Sequence, residues 1–279
     1  MPEITAAMVK QLRDETQLPM MECKQALNET GGDMEAAKQK LRESGKKLMG
    51  KRADRTTEEG RIGVYASVDN KVGAMIELQC ESPQVAANAE FIQLANDLAK
   101  QFATGPGAKT PEELWAQPSP SRKGTLEEQR DELQNKIREV FRLSRMERIN
   151  APAGGFVHMA KIGVLLEVEG GNDELAKDVA LHVAAMNPKA ATKAALDPAL
   201  VAAEKEIQKE RARQEGKPEN IIEKMIEGRM RNFYAEHVLE EQPFVRDESQ
   251  TVGNLAGAGG MKLKRFIRWQ LGEQPAAAN

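Results

Sequence analysis

The first part of the chain sets short apolar stripes between turn signals. Thr5 is placed to cap a helix in which Ala6, Val9, Leu12 and Arg13 follow. A second helix is predicted from about Met20 to Thr30, with Met20, Cys23 and Leu27 on one stripe and Gly31-Gly32 as its stop. Asp33 caps a third helix, which carries Met34, Ala37 and Leu41 and closes at Gly45. So short a segment predicts a compact three-helix bundle, followed by a polar linker, KKLMGKRADRTTEEG. From Gly60 the period drops to two. Ile62, Val64, Ala66 and Val68 alternate, Asp69-Asn70 turns, and Val72, Ala74, Ile76 and Leu78 alternate back, which predicts a β-hairpin. Ser82 and Pro83 then supply the N-cap and first-turn proline of a helix through Val85, Phe91, Leu94 and Leu98 to about Phe102. A Pro/Gly-rich loop over 104–124 leads to a long helix, capped by Thr125 and reaching about Glu147, with Leu126, Leu133, Ile137, Val140 and Phe141 as its apolar side.

The hairpin pattern recurs. MAKIGVLLEV at 159–168 resembles GRIGVYASV at 60–68, and each is followed by an amphipathic helix, the second over about 173–186 with Leu175, Val179, His182 and Val183. Two related α+β subdomains from one duplicated plan are expected. Asp197-Pro198 opens a helix that Gly216-Lys217-Pro218 breaks, and another runs from about Glu219 to Leu239, so the pair forms an antiparallel helical hairpin. Met261, Leu263, Ile267, Trp269 and Leu271 alternate in a closing strand suited to the second subdomain's sheet. The expected class is α+β and helix-rich. Its expected divisions are a helical domain with linker over 1–55, a core N-subdomain over 56–150, and a core C-subdomain over 151–279 with the hairpin inserted at 198–239.

Composition narrows the function. Forty basic against 43 acidic side chains leave a net charge of −3, without the broad basic field of a nucleic-acid coat. Aromatic residues are 4% of the chain, little material for base-stacking platforms. No apolar run approaches the ~18 residues of a membrane span, and MPEITAAMVKQ lacks the basic start and apolar stretch of a signal peptide. Cys23 and Cys80 fit no metal or disulfide spacing. These features predict a reduced, cytoplasmic protein with no membrane or direct nucleic-acid partner. No HExxH, CxxC, GxSxG or GxxxxGK[ST] motif occurs, and the GAGG run at 257–260 follows a loop and precedes a strand, the reverse of a dinucleotide fingerprint. A binding protein is therefore expected rather than an enzyme, with no catalytic residues, cofactor or metal.

LRDETQLPMMECKQAL, residues 12–27, is similar to the first signature of bacterial elongation factor Ts, typically LRxxTGxGMMDCKKAL. ELQCESPQVAANAEF at 77–91 resembles the family's E-[hydrophobic]-x-C-E-T-D-F-V-A-x-N. DVALHVAA at 178–185, GKPENIIEKMIEGRM at 216–230, EQPFVRDESQTVG at 241–253 and RFIRWQLGE at 265–273 agree further, in the family's order and over nearly the whole chain. The resemblance implies a ubiquitin-associated-like N-terminal domain, a two-part α+β core with small antiparallel sheets, and an inserted antiparallel coiled coil. It also implies a partner, the GTPase elongation factor Tu, and an activity of guanine-nucleotide exchange.

An exchange factor breaks no covalent bond. It binds the nucleotide-free GTPase more tightly than the loaded one, and linkage then forces it to weaken nucleotide by the same factor. In the family a T-D-F-V segment wedges between helices of the GTPase near its Mg²⁺ site. The matching positions here are Ser82, Pro83, Gln84 and Val85. Serine keeps the hydroxyl cap and Val85 is retained, while Pro83 brings no charge and Gln84 no aromatic wedge. Locally, Ser82-Pro83 can also be no more than a helix start. Arg13, Met20 and Met21 match the family's contact surface. Met20 lies on the stripe assigned to the core, Met21 is the better exposed candidate, and Arg13 can equally be a solvated charge. His158 matches a family histidine near the second hairpin that engages the GTPase. His182 sits on an apolar helix face and is expected in the core, and His237 on the surface. The 198–239 hairpin offers a long face for a homodimer or another partner domain, or else stands alone as a solvated pair. The sequence stops shortly after Gly272-Glu273, and contacts made through the C-terminal helical module that some relatives carry are expected to be absent.

Overall fold

The computed structural model describes residues 4–216 and 218–273. Helix α1 (Ala6–Thr16) is opened by Thr5, whose hydroxyl accepts from the Met8 N–H at 3.3 Å, and is closed by Gln17 in the left-handed region. Helix α2 (Met20–Glu29) ends where the Gly32 N–H donates to Leu27 O at 2.9 Å, with Gly31 and Gly32 both at positive φ. Helix α3 (Met34–Gly50) is capped by Asp33. It does not close at Gly45 as predicted. That glycine is buried mid-helix, and a Cβ there would come within 2.5 Å of Asn135 Cγ, so it serves close packing rather than termination. Val9, Leu12, Leu18, Cys23, Ala26, Leu27, Ala37 and Leu41 form the core of these helices. Met20 is absent from that core and 51% exposed. Leu18, just before the helix, is buried in this core while Pro19 at the N-cap leaves Met20 outside it.

Strands β1 (Glu59–Ser67) and β2 (Val72–Cys80) form the predicted hairpin. In β2 the two-residue alternation is lost: Met75 and Glu77 are buried along with Ala74, Ile76 and Leu78. The strand is central in a sheet of order β1-β2-β3, which pairs both its edges, and the side chains on both its faces are buried. The single helix expected from Pro83 is two. Helix α4 (Pro83–Ala86) is one turn, and α5 (Ala89–Thr104) starts afresh at Asn88, whose Oδ1 accepts from the Glu90 and Phe91 N–H groups. One short helix, α6 (Pro111–Trp115), breaks the Pro/Gly-rich loop. Helix α7 (Leu126–Ile137) has a full capping box of Thr125 and Glu128. It stops ten residues short of the predicted Glu147, at Arg138 with φ 68°, and the chain continues as strand β3 (Arg142–Ile149).

The second half holds strands β4 (Ala153–His158) and β5 (Ile162–Gly170), then α8 (Asp173–Met186), α9 (Pro198–Gln214) and α10 (Glu219–His237). Strands β6 (Pro243–Phe244) and β7 (Asp247–Thr251), helix α11 (Val252–Ala258) and strand β8 (Met261–Gln270) complete it. The duplicated plan is present but offset by one strand from the sequence likeness. GRIGVYASV is the leading strand of its hairpin, whereas the 162–170 segment is the trailing strand of the other. The predicted closing strand pairs antiparallel with β5 in the order β4-β5-β8, with Leu165 opposite Ile267 and a bulge at Glu167/Val168. Val164, Leu166 and Val168 pack with Val179, Val183 and Val252. Helix α8 lies close to β4, since a Cβ on Gly154 would meet Ala176 O at 2.5 Å. The GAGG run begins inside α11 rather than after a loop.

Among the described residues there are 11 α-helices and small antiparallel sheets, an α+β fold, and no helix long and apolar enough to cross a membrane. The chain divides into two compact units. One comprises the described residues up to Gly63 with Ile76–Met146, the other Val64–Met75 with Glu147–Glu273.

Candidate partner-binding surface

The segment from Ser82 to Val85 is the single turn α4 and its N-cap. Pro83 and Gln84 are exposed and Val85 is buried. Ser82 occupies the N-cap position with extended backbone, yet its side chain does not cap the helix. The hydroxyl is taken by Glu139, donating to Oε1 at 2.6 Å, while the Ser82 and Glu81 N–H groups each donate to Glu139 Oε2 at 3.1 Å. The expected hydroxyl cap is thereby replaced by a charge-assisted tether. Glu81 answers in kind, accepting from the Val140 N–H at 2.9 Å and pairing with Arg55 at 2.8 Å. Burial pushes the Glu81 carboxyl up, but the Val140 N–H and the Arg55 guanidinium outweigh it and hold it below the usual range. Behind the turn, the Cys80 thiol donates to Ser82 O at 3.3 Å and is pushed up to about 12, chiefly by burial, so it stays a thiol. Arg61 donates to Ala86 O at 3.1 Å and closes the far end.

Arg13, Met20 and Met21 belong to the same unit. All three are exposed, Met21 at 73%. Glu22, beside Met21, pairs with Arg138 at 2.6 Å, and Arg138 is the immediate neighbour of Glu139. The first turn of α2 and the turn at 82–85 are thus joined through two consecutive side chains. Neither Glu139 nor Arg138 was visible as a site residue in the sequence, because both lay within the stretch read as helix. A cleft of about 640 Å³ in this unit is lined by charges that pair with one another: Lys38 with Glu15, Arg42 and Arg122 with Glu132, and Lys136 with Glu90.

His158 lies in the other unit, exposed at the tip of the β4–β5 hairpin. Met159 and Ala160, the next two residues, have φ of 48° and 63°, and the Lys161 N–H donates to His158 O at 3.0 Å. A tight turn with two non-glycine residues in the left-handed region is strained backbone. It presents Met159, 80% exposed, beside the imidazole. His182 is fully buried, as expected. Its Nε2 donates to Gln242 Oε1 at 3.0 Å and its Nδ1 accepts from the Val245 N–H at 3.1 Å, which defines a neutral tautomer. His237 is half-buried rather than on the surface. It stacks on Phe233, with ring centroids 4.5 Å apart, because α10 turns that face toward Val238 and Leu196. Among the described residues no group of three or more His, Cys, Asp or Glu side chains is placed to hold a metal.

Fold and surface define an α+β protein of paired hairpin–helix units whose exposed turns carry methionine, glutamine and histidine. The family described as Elongation factor TS matches residues 84–273. Proteins named elongation factor Ts are similar over nearly the full length. That of Methylococcus capsulatus is 43% identical over 97% of this chain and 92% of its own. That of Thioalkalivibrio sulfidiphilus is 42% identical over 97% and 92%, and that of Azoarcus sp. 44% over 98% and 92%. The chain belongs to the elongation factor Ts family, among the elongation factors of protein biosynthesis.

Proposed function

We propose that this protein is a guanine-nucleotide exchange factor for elongation factor Tu, acting in the cytoplasm without covalent chemistry of its own. The observation that carries this reading is family membership over nearly the whole chain, together with an exposed Pro83-Gln84 turn at the position of the family's wedge segment. In this reading Gln84 enters the GTPase near its Mg²⁺ and phosphate groups and competes for their hydrogen bonds. Pro83 stiffens the approach, and buried Val85 anchors the turn. Arg13, Met20 and Met21 form a second contact, with methionine side chains adaptable enough to fill a partner groove. His158 and Met159 form a third, on a tip whose strained backbone holds both outward. The N-terminal helices act as a ubiquitin-associated-like domain over 1–55, ahead of core subdomains at 56–150 and 151–279. The 198–239 hairpin is a coiled coil. Its exposed Ile207 and Ile221 support contact with a second copy or another partner domain.

Coupling supplies the mechanism. Contacts made only with the nucleotide-free GTPase lower nucleotide affinity by the factor by which they raise affinity for this protein. The test is release of fluorescent GDP from the cognate elongation factor Tu, with substoichiometric amounts of this protein and of Gln84→Ala. Accelerated release with turnover, reduced in the variant, is the expected result. Binding without any change in release rate would leave a passive interaction protein and refute exchange.

A further inference from the structure

We propose that Glu139 is the positioning residue of the exchange turn, an inference that rests on the exchange reading and assigns the aim of Gln84 to a carboxylate 55 positions further along the chain. A four-residue helix cannot hold its own conformation, since nucleation costs more than so few bonds return. The direction of Pro83 and Gln84 is therefore set by what grips the turn. Glu139 accepts three hydrogen bonds there, from the Glu81 N–H, the Ser82 N–H and the Ser82 hydroxyl, using both carboxylate oxygens. The other side-chain grips are one bond each: the Cys80 thiol donates to Ser82 O, and the Arg61 guanidinium donates to Ala86 O at the far end of the turn.

Glu139 is itself held. The left-handed residue Arg138 swings the chain out of α7, its carbonyl accepts from Arg52 at 2.5 Å, and its guanidinium pairs with Glu22 of α2. Glu81 in turn accepts from the N–H of Val140, the residue after Glu139, so each acidic side chain holds backbone of the other's segment. Force on Gln84 passes through Ser82 to Glu139, and through Arg138 to the helix that carries Met20 and Met21. Two of the three contact sites are mechanically one.

The variant Glu139→Gln keeps the shape but removes the charge. Its amide oxygen can still accept from the two N–H groups and its NH₂ can donate to the Ser82 hydroxyl, so what is lost is the charge that strengthens all three bonds, whereas Ser82→Ala removes a single bond of the three. Fluorescent-GDP release is measured against the concentration of each variant, with the melting temperature read alongside. Glu139→Gln is expected to lower the maximal release rate about 10-fold, the scale of the charge assistance lost across the three bonds, with the half-saturating concentration changed by less than about threefold. Ser82→Ala is expected to lower the rate about two- to threefold at an unchanged melting temperature, which keeps the test valid if Glu139→Gln folds poorly. A wild-type maximal rate in both variants overturns the inference and leaves exchange standing. So does a loss in rate and in half-saturation that merely tracks lost melting temperature. If the wild-type protein itself leaves GDP release unchanged, the exchange reading falls and takes this inference with it.

Discussion

Glu77 sits in the middle of β2 at 1% exposure, and removing its charge partner is predicted to destabilise the fold. Its carboxylate is bound by the Arg145 guanidinium, by Ser144 Oγ at 2.9 Å and by Gln79 Nε2 at 2.7 Å. The variant Arg145→Met keeps the aliphatic bulk and deletes the charge. Leaving one member of a buried pair unpaired costs about 3–5 kcal/mol. The two neutral donors that remain, each worth about 1 kcal/mol net, place this site at the lower end, near 3 kcal/mol. Replacing both members is a different matter. In Glu77→Leu with Arg145→Met no charge is left buried, and Ser144 Oγ still reaches Glu77 O at 3.4 Å. The double variant is expected within about 1 kcal/mol of wild type, which with any cost of Glu77→Leu alone makes the coupling between the two positions at least about 2 kcal/mol. Urea unfolding followed by both fluorescence and far-UV circular dichroism gives these differences, with coincident curves as the check for one transition. A loss below about 1 kcal/mol for Arg145→Met, or additive single effects, would refute the claim that β3 is held to β2 by a desolvated ion pair.

His182 predicts a pH dependence. Burial lowers its pKa from the ordinary 6.5, against a smaller opposing effect of Gln242, so the unfolded chain takes up the proton first. Its contribution is full above about pH 6.5 and declines as pH falls toward the lower folded value. The wild type should lose stability between pH 7 and 5 in a way that His182→Gln does not, and parallel urea midpoints for the two would refute this. Two glycines make an opposed pair. Gly154→Ala drives a methyl against Ala176 O and should cost about 1–3 kcal/mol. Gly228→Ala, mid-helix in α10 with nothing within 4 Å, should stabilise by about 0.5–1 kcal/mol. Urea midpoints shifting in the same direction for both would contradict the packing.

The positions of α1, α2, α8 and α9 were legible because local signals coincide there: a capping side chain or proline, a 3.6-residue stripe, and a turn residue at the end. Motif order also carried the family. The errors fall where local signals were ambiguous and a distant partner decided. Val140 and Phe141 extend the apolar side of α7 as well as they enter a strand. The edge of β2, with Glu77 waiting for Arg145 and Ser144, selects the strand. Gly45 reads as a stop and is a packing contact, because Asn135 lies against it. Met20 reads as core and is exposed, because Leu18 is buried in the core instead.

For the candidate surface the division is sharper. The residue types at 82–85, at 13, 20 and 21, and at 158 were readable from the chain, since a matching motif brings its positions with it. Their geometry was not. That Ser82 gives its hydroxyl to Glu139, and that Glu22 meets Arg138 next door, depends on contacts between residues 57 and 116 positions apart. Side-chain periodicity determines which face of a helix or strand is apolar, and it acts over a few residues. Which acceptor satisfies a buried donor is decided only when chain closure brings distant segments together, and that choice belongs to the tertiary structure.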